Sequence, residues 1–189
     1  MSLIKPIIVS FFEAVKKDKV KLYNEFSFQH ELGIFLRKKL DTNKYNVQFE
    51  RNVSHFFPGG IDTVKKEIDI AIFSSDQKEK YAIELKYPRN GQYPEQMYSF
   101  VKDIQFAEQL KKFGFQHTYC LALVDDRPFY SGNKTDGIYK YFRKECRVYG
   151  TIPKPTGAGK NEDFIKLDGK YPFTWEDAGE ERRFYVIEI

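Results

Sequence analysis

Apolar side chains recur at helical spacing near the start of the chain. Over residues 3–18 they return every three or four positions, and Pro6 falls in the first turn, where proline is tolerated. A similar apolar stripe runs from about Asn24 to Leu40. The spacing therefore predicts two consecutive helices.

The pattern then changes to an alternation of apolar and polar residues, which is typical of half-buried strands. A polar stretch at 74–80 suits the loop of a hairpin between two such segments. Helical spacing returns at Pro94 and ends near Gly114, which predicts a long helix, and a nearly continuous apolar run after it fits a buried strand. The four predicted strands cover residues 45–49, 68–72, 81–87 and 118–124.

The remainder of the chain is less regular but favours strands. Residues 143–152 and 183–189 are predicted to be strands. The segment 164–173 is predicted to be a hairpin with Asp168-Gly169 at its turn, because Asp-Gly is a favoured hairpin dipeptide.

This order of elements predicts an α/β fold in a single domain over residues 1–189. Its core, about 24–124, has the order helix, three strands, helix, strand. A helix over 3–18 precedes the core, and a β-rich C-terminal extension over 125–189 follows it.

Composition excludes several classes of protein. The chain has 189 residues, of which 41% are hydrophobic and 17% aromatic, too many for a disordered protein. Two cysteines, Cys120 and Cys146, make no disulfide framework, which favours a reducing compartment and therefore the cytoplasm. No apolar stretch has membrane-spanning length, so we expect no membrane partner. A net charge of +4 permits an anionic partner without requiring one.

Strand parity places charged side chains together in the predicted hairpin. Asp69 faces away from the isoleucines of its strand, and Glu84 and Lys86 share one face of the next strand. Antiparallel pairing then sets Asp69 beside Glu84. Two carboxylates and an ammonium are poor core material, but carboxylate oxygens are the ligands that Mg²⁺ prefers. The backbone carbonyl of Leu85 is a further candidate ligand.

The second predicted helix contributes one more acid. Glu31 lies at the border of the apolar stripe, from where a carboxylate can face the same part of the sheet. We therefore expect Glu31 to bind a second ion or a metal-bound water.

With these residues in this order, the chain resembles the PD-(D/E)xK nuclease superfamily, which has the restriction-endonuclease-like fold. The resemblance covers roughly residues 24–124. Ile68 stands where the family often has a proline before its aspartate. The matching residues are Glu31 for the helix acid, Asp69 for the motif aspartate, and Glu84 and Lys86 for the ExK pair.

The resemblance implies a mixed central sheet flanked by helices and a Mg²⁺-dependent deoxyribonuclease, most consistent with a DNA endonuclease of restriction or defence type. Mn²⁺ is expected to substitute for Mg²⁺. Asp69 and Glu84 would hold the ion, which polarises a phosphate and acidifies a bound water. Lys86 would orient or deprotonate that water or stabilise developing charge. Many nucleases of this fold cut both strands as dimers, so a homodimer is a further expectation.

Two further sets of residues are candidates for the site or its substrate. Asp103 falls inside the apolar arc of the third predicted helix, and it either caps a local network or approaches the site. Lys102 and Gln105 lie on a polar stripe of that helix, which is either site-adjacent or simply solvated. A basic stretch interleaved with aromatic residues either contacts nucleic acid or forms a wet strand face. Its candidate contacts are Lys140, Arg143, Lys144 and Arg147.

Three alternatives stay open at this point. The charged residues could be the solvated face of an amphipathic hairpin with incidental ion pairs, which contribute little. The fold could be retained as a catalytically silent nucleic-acid-binding or protein-interaction module. The match could also be fortuitous in an unrelated α/β enzyme.

Overall fold

The computed structural model of the chain describes residues 3–160 and 162–189. The helices are α1 (Lys5–Lys16), α2 (Glu25–Lys39) and α3 (Tyr93–Lys112). The strands are β1 (Tyr45–Asn52), β2 (Glu67–Ser74), β3 (Lys80–Lys86), β4 (His117–Val124), β5 (Arg147–Pro153), β6 (Phe164–Pro172), β7 (Glu176–Gly179) and β8 (Arg182–Glu188). Within the described residues, no helix is long and apolar enough to cross a membrane.

Six of the strands form one mixed sheet in the order β1-β2-β3-β4-β8-β7. Strands β3 and β4 run parallel, whereas the other neighbours are antiparallel. The parallel pair is joined by α3, because a parallel connection needs a crossover. The predicted α/β class, with a mixed sheet flanked by helices and the order α2-β1-β2-β3-α3-β4, is confirmed.

Helices cover both faces of this sheet. On one face, α1 and α2 pack through a buried cluster that includes Phe28 and Ile72. On the other, α3 and a two-stranded ribbon of β5 and β6 pack through residues such as Phe100. Alternate side chains of a strand point to opposite faces, so β2 and β3 deliver residues to both layers. Ile68 departs from the expected isoleucine face and packs in a third cluster with Val53.

The helices next to the candidate site start at recognisable signals. Asn24 caps α2, since its side chain accepts a hydrogen bond from the Ser27 N–H at 2.8 Å and Ser27 Oγ accepts one from the Asn24 N–H at 3.0 Å. Pro94 lies in the first turn of α3. The cap on α2 positions Glu25, its first residue, beside the end of β3.

The predicted hairpin at 164–173 is wrong. Strand β6 continues through Asp168 and Gly169 and pairs with β5 on both sides of them. The register of the β5–β6 ladder shifts between Tyr149 and Thr151, opposite the Asp-Gly pair. An Asp-Gly dipeptide therefore marks an irregularity within a strand here, because both a turn and a ladder irregularity tolerate these residues.

One further expectation for the C-terminal part needs correction, and another is confirmed. The strand predicted at 143–152 begins only at Arg147, because Lys140–Lys144 form a single π-helical turn. The last predicted strand is confirmed as β8, but it pairs with β4 and so lies inside the central sheet. The C-terminal extension thus completes the sheet as well as adding the β5–β6 ribbon.

Candidate active site

Asp69 and Glu84 lie side by side, as strand parity predicts. The β2–β3 register pairs Ile70 with Ile83, and one further step brings Asp69 opposite Glu84. The N–H of Asp69 donates to Glu84 Oε1 at 3.3 Å, and the N–H of Leu85 donates to Asp69 Oδ2 at 2.9 Å. The two carboxylates therefore link the strands just beyond their regular ladder.

Asp103 of α3 and Lys65 of the loop before β2 join this pair. The Lys65 ammonium forms an ion pair with Glu84 and lies 3.0 Å from Asp103 Oδ1 and 3.6 Å from Asp69 Oδ1. Glu84 is 1% exposed and Asp103 is 4% exposed. We refer to Lys65, Asp69, Glu84, Lys86 and Asp103 as the ion-pair cluster.

Lys86 borders the cluster on the side of α2. Its Nζ lies 3.5 Å from Asp103 Oδ2, 3.2 Å from Glu25 Oε1 and 3.3 Å from the carbonyl oxygen of Leu85. Glu25 also accepts a hydrogen bond from the N–H of Tyr87 at 3.0 Å. The Lys86 ammonium is therefore held between the first turn of α2 and the middle of α3.

Burial dominates the electrostatics of the cluster. It raises the pKa of Glu84 well above its ordinary value, with a further rise from Asp69 and opposition from Lys65. It also raises the pKa of Asp103, against the effect of Lys86 and Lys65. Burial alone would lower the pKa of Lys86, but the surrounding carboxylates, Asp103 foremost, hold that pKa above its ordinary value. The Lys86 ammonium therefore stays charged at neutral pH.

One oxygen of the cluster has no hydrogen bond. Asp103 Oδ2 is buried and accepts no hydrogen bond within the described part of the chain, although it faces the Lys86 ammonium. A buried carboxylate oxygen without a donor is costly unless a ligand or water compensates for it.

The deep burial of Asp103 and Glu84 also shows that the alternative of a solvated hairpin face is wrong.

The structure does not bring Glu31 to the cluster. Its side chain is 38% exposed, lies 3.9 Å from His30 Nδ1 and lines an open surface pocket. Helix α2 reaches the site through Glu25 and Gln29 instead, and Gln29 Nε2 donates to the carbonyl of Asp69 at 2.7 Å. At about 100° per residue, Glu25 and Gln29 share a face of α2, whereas Glu31 lies about 200° around the helix from Gln29.

The three residues of α3 that were proposed from the sequence differ in burial and in contact with the cluster. Asp103 belongs to the cluster, while its neighbour Lys102 is exposed and Gln105 is half-buried on α3. The Gln109 side chain, one turn further along, accepts a hydrogen bond from the N–H of Val64 at 2.9 Å and so anchors the loop that carries Lys65.

Of the four proposed nucleic-acid contacts, Arg143 and Lys140 have partners within the fold, and the other two are exposed. The Arg143 guanidinium donates to the carbonyls of Pro128 and Lys134 at 2.8 Å and lies 3.8 Å from the ring centre of Tyr139. Arg143 therefore holds a loop in place. The ammonium of Lys140 lies over the Tyr141 ring, while Lys144 and Arg147 are exposed.

Sequence reasoning missed Lys65 and Glu25. Lys65 lies in a loop, where no periodicity marks a residue, and only the docking of that loop on α3 carries it to the carboxylates. Glu25 carries one signal, because an acid in the first turn of a helix is common. An acid in this position does not by itself predict the ion pair of Glu25 with Lys86.

The oxygens that would hold a divalent cation are present, but they already have partners. Asp69, Glu84 and Asp103 converge on the Lys65 ammonium, and the Leu85 carbonyl faces Lys86. Among residues 3–160 and 162–189, no group of three or more His, Cys, Asp or Glu side chains is arranged to hold a metal ion. The donor set fits a hard cation such as Mg²⁺ in its chemistry, and the cation that it holds is an ammonium group.

Comparisons of the chain with known protein families, with curated proteins and with solved structures found no match in any of the three.

Proposed function

We propose that the chain is a metal-dependent nuclease of restriction-endonuclease-like fold that hydrolyses phosphodiester bonds. The observation that carries this proposal is that the partly buried Asp69 and Lys86 meet the buried Glu84 and Asp103 at one point. Burying charged groups is costly even when they are paired, and clusters of this kind are often found at functional sites. The resemblance in the order of elements and in the Asp and Glu-x-Lys spacing supports the same reaction class.

Asp69, Glu84 and the Leu85 carbonyl are the residues that would hold the Mg²⁺ or Mn²⁺ ion. When bound, such an ion polarises the phosphate and lowers the pKa of a coordinated water. Asp103 Oδ1 lies 3.0 Å from the Lys65 ammonium at the same point, so Asp103 is a further candidate ligand.

Lys86 is assigned the role of a fixed positive charge. The carboxylates around it raise its pKa, so it is a poor general base in this environment. Its ammonium is positioned to orient a water or to stabilise the negative charge that develops on the phosphate. Glu25 and Asp103 then act as positioning residues, because they hold that ammonium from two sides.

DNA is the proposed substrate, and an endonuclease of restriction or defence type is the proposed role, both by analogy with the family. The exposed Lys144 and Arg147 are available for phosphate contacts. A homodimer would allow both strands to be cut.

The test is incubation with supercoiled plasmid, linear duplex DNA, single-stranded DNA and RNA, in Mg²⁺, in Mn²⁺ and in EDTA. We expect metal-dependent nicking or linearisation of plasmid. The Lys86→Met variant should lose about 100-fold or more of the rate, since it removes a charge that stabilises the transition state. Lys38→Met, at an exposed lysine of α2, is the matched control and should cleave normally.

Undiminished cleavage by Lys86→Met would contradict the assignment of Lys86. Cleavage of RNA without cleavage of DNA would contradict the substrate but keep the reaction class.

A second candidate function is a catalytically silent nucleic-acid-binding module. The specific observation in its favour is that the Lys65 ammonium already lies where the three carboxylates converge and offsets part of their charge. Salt-sensitive binding of DNA by the chain, with no cleavage in Mg²⁺ or Mn²⁺ at any protein concentration, would establish it over the nuclease.

A further inference from the structure

Lys65 occupies the point at which three carboxylates of the ion-pair cluster converge. Its ammonium pairs with Glu84 and lies within 3.6 Å of an oxygen of both Asp69 and Asp103. The Lys65 ammonium therefore lies at the point that a divalent cation bound by these oxygens would occupy.

The backbone around Lys65 is anchored on both sides. The Thr63 hydroxyl donates to the Lys65 carbonyl at 2.6 Å, and the N–H of Val64 donates to Gln109 of α3. On the other side, the N–H of Val53 donates to the Lys66 carbonyl at 2.9 Å. The side chain of Lys65 is 21% exposed, so it has a route from the cluster to solvent.

An ammonium and a divalent cation cannot both occupy the point between the three carboxylates. Both are attracted by the same carboxylates, but only the ammonium is tethered to the chain and present at a fixed local concentration. Asp103 Oδ2 has no hydrogen bond within the described residues, so the Lys65 ammonium does not use the full ligand capacity of the cluster. A doubly charged ion would interact with the same three carboxylates more strongly than a single ammonium does.

We propose that Lys65 is a built-in counter-ion that competes with the divalent metal for Asp69, Glu84 and Asp103. Metal binding then requires the Lys65 side chain to leave the cluster towards solvent, while its backbone stays in place. In the absence of metal, the same ammonium stabilises the fold by offsetting part of the repulsion among the three carboxylates. This inference rests on the proposed metal-binding function of the cluster.

Mn²⁺ binding to the intact chain tests the competition directly. By isothermal titration calorimetry at neutral pH, Lys65→Met should bind Mn²⁺ about tenfold more tightly or better than the unaltered chain, since it removes a competing charge next to the ligands. Lys66→Met is the matched control, because Lys66 is the next residue, is exposed and carries the same charge. Its dissociation constant for Mn²⁺ should stay at that of the unaltered chain.

Thermal unfolding supplies a second readout that does not depend on catalysis. Without metal, Lys65→Met should unfold at a lower temperature than the unaltered chain, because its carboxylates have lost their main counter-ion. Saturating Mn²⁺ should raise its unfolding temperature more than it raises that of the unaltered chain. An equal Mn²⁺ affinity in Lys65→Met and the unaltered chain would overturn the proposal, and so would a weaker one.

If Lys65→Met does not fold, the competition can be tested with two other variants that both carry Asp103→Asn. Asp103→Asn retains Lys65, whereas Lys65→Met/Asp103→Asn removes one charge of each sign. The double variant should bind Mn²⁺ more tightly than Asp103→Asn, and equal affinity of the two would overturn the proposal.

Failure of this inference is distinguishable from failure of the proposed nuclease. Metal-dependent cleavage with no effect of Lys65→Met on Mn²⁺ affinity overturns the competition and keeps the nuclease. Tighter Mn²⁺ binding by Lys65→Met without cleavage by any variant keeps the competition and overturns the nuclease.

Discussion

Helix α3 buries two carboxylates a little over one turn apart, and their surroundings differ. Glu108 accepts hydrogen bonds from the N–H of Asp168 at 2.9 Å, from the N–H of Gly169 at 2.8 Å and from the Tyr171 hydroxyl at 2.7 Å. Asp103 has ammonium groups as its partners and keeps one oxygen without a donor. Two acids on one helix thus meet neutral donors in one place and charged groups in the other.

The difference separates a structural role from a chemical one. Glu108 ties the β5–β6 ribbon to α3 at the irregularity of β6, where backbone amides lack ladder partners. Its hydrogen-bonding capacity is used within the fold. The Asp103 region has a surplus of carboxylates and an unsatisfied oxygen, which are features of a site that is completed by a ligand. The predictions below test whether the two regions differ in this way.

The largest effect is expected from Glu84→Gln in the cluster. The change keeps the shape of the side chain but removes a charge from the proposed metal ligands. Metal-dependent cleavage should fall by about 100- to 1,000-fold, in line with the loss of a major electrostatic group. The rate of plasmid nicking measures it, and Glu13→Gln on α1, an exposed acid, is the control. A Glu84→Gln enzyme that cuts at the normal rate would remove Glu84 from the site.

Glu108→Gln is expected to act on stability instead. The amide oxygen has two lone pairs and the NH₂ group only donates, so at least one of the three donors is left without an acceptor. The free energy of unfolding should fall by about 2–3 kcal/mol, as measured by urea denaturation. The cleavage rate of the folded protein should stay unchanged. A loss of rate without a loss of stability would place Glu108 with Asp103 rather than apart from it.

Much of the scaffold can be predicted from the sequence, because the spacing of apolar residues identifies its helices and strands. Helices α1 to α3 and strands β1 to β4 carry apolar patterns that the sequence shows directly, and the structure forms all of these elements. The Asp168-Gly169 dipeptide misled because its conformational preference is shared by a turn and an irregular strand. Only the tertiary contact with Glu108 decides between them.

Some residues of the candidate site can be predicted from the sequence and others cannot. Asp69, Glu84 and Lys86 follow from strand parity, and Asp103 from its place in the apolar arc of α3. Glu31 was expected at the site, but the structure does not bring it to the cluster. The face of α2 that meets the sheet depends on how the helix docks, which periodicity does not reveal. Lys65 and Glu25 enter through a loop and a helix start, whose positions are set by contacts far apart in the sequence.

Asp103→Asn is expected to affect catalysis more than stability, the reverse of Glu108→Gln. Lys65 keeps Glu84 and Asp69 as partners, and Lys86 keeps Glu25, so no ammonium is left without a carboxylate. The cleavage rate should fall about tenfold, because Lys86 loses one of the groups that position it. Nicking rate and urea denaturation, measured on the same preparation, check both halves. A large loss of stability with normal cleavage would make Asp103 a structural residue like Glu108.

The smallest effect is expected from Lys112→Met, which removes an ion pair at the edge of the Glu108 region. Lys112 Nζ lies 2.5 Å from Asp168 Oδ2, and both side chains are more than half exposed. Solvent screens such a pair and the side chains lose freedom in forming it, so its net contribution is small. Urea denaturation should show no measurable change, because Glu108 and not Lys112 holds the Asp168 backbone. If Lys112→Met destabilised the chain as much as Glu108→Gln does, the ribbon would be held by its surface charges, and the contrast between the two buried acids of α3 would lose its structural half.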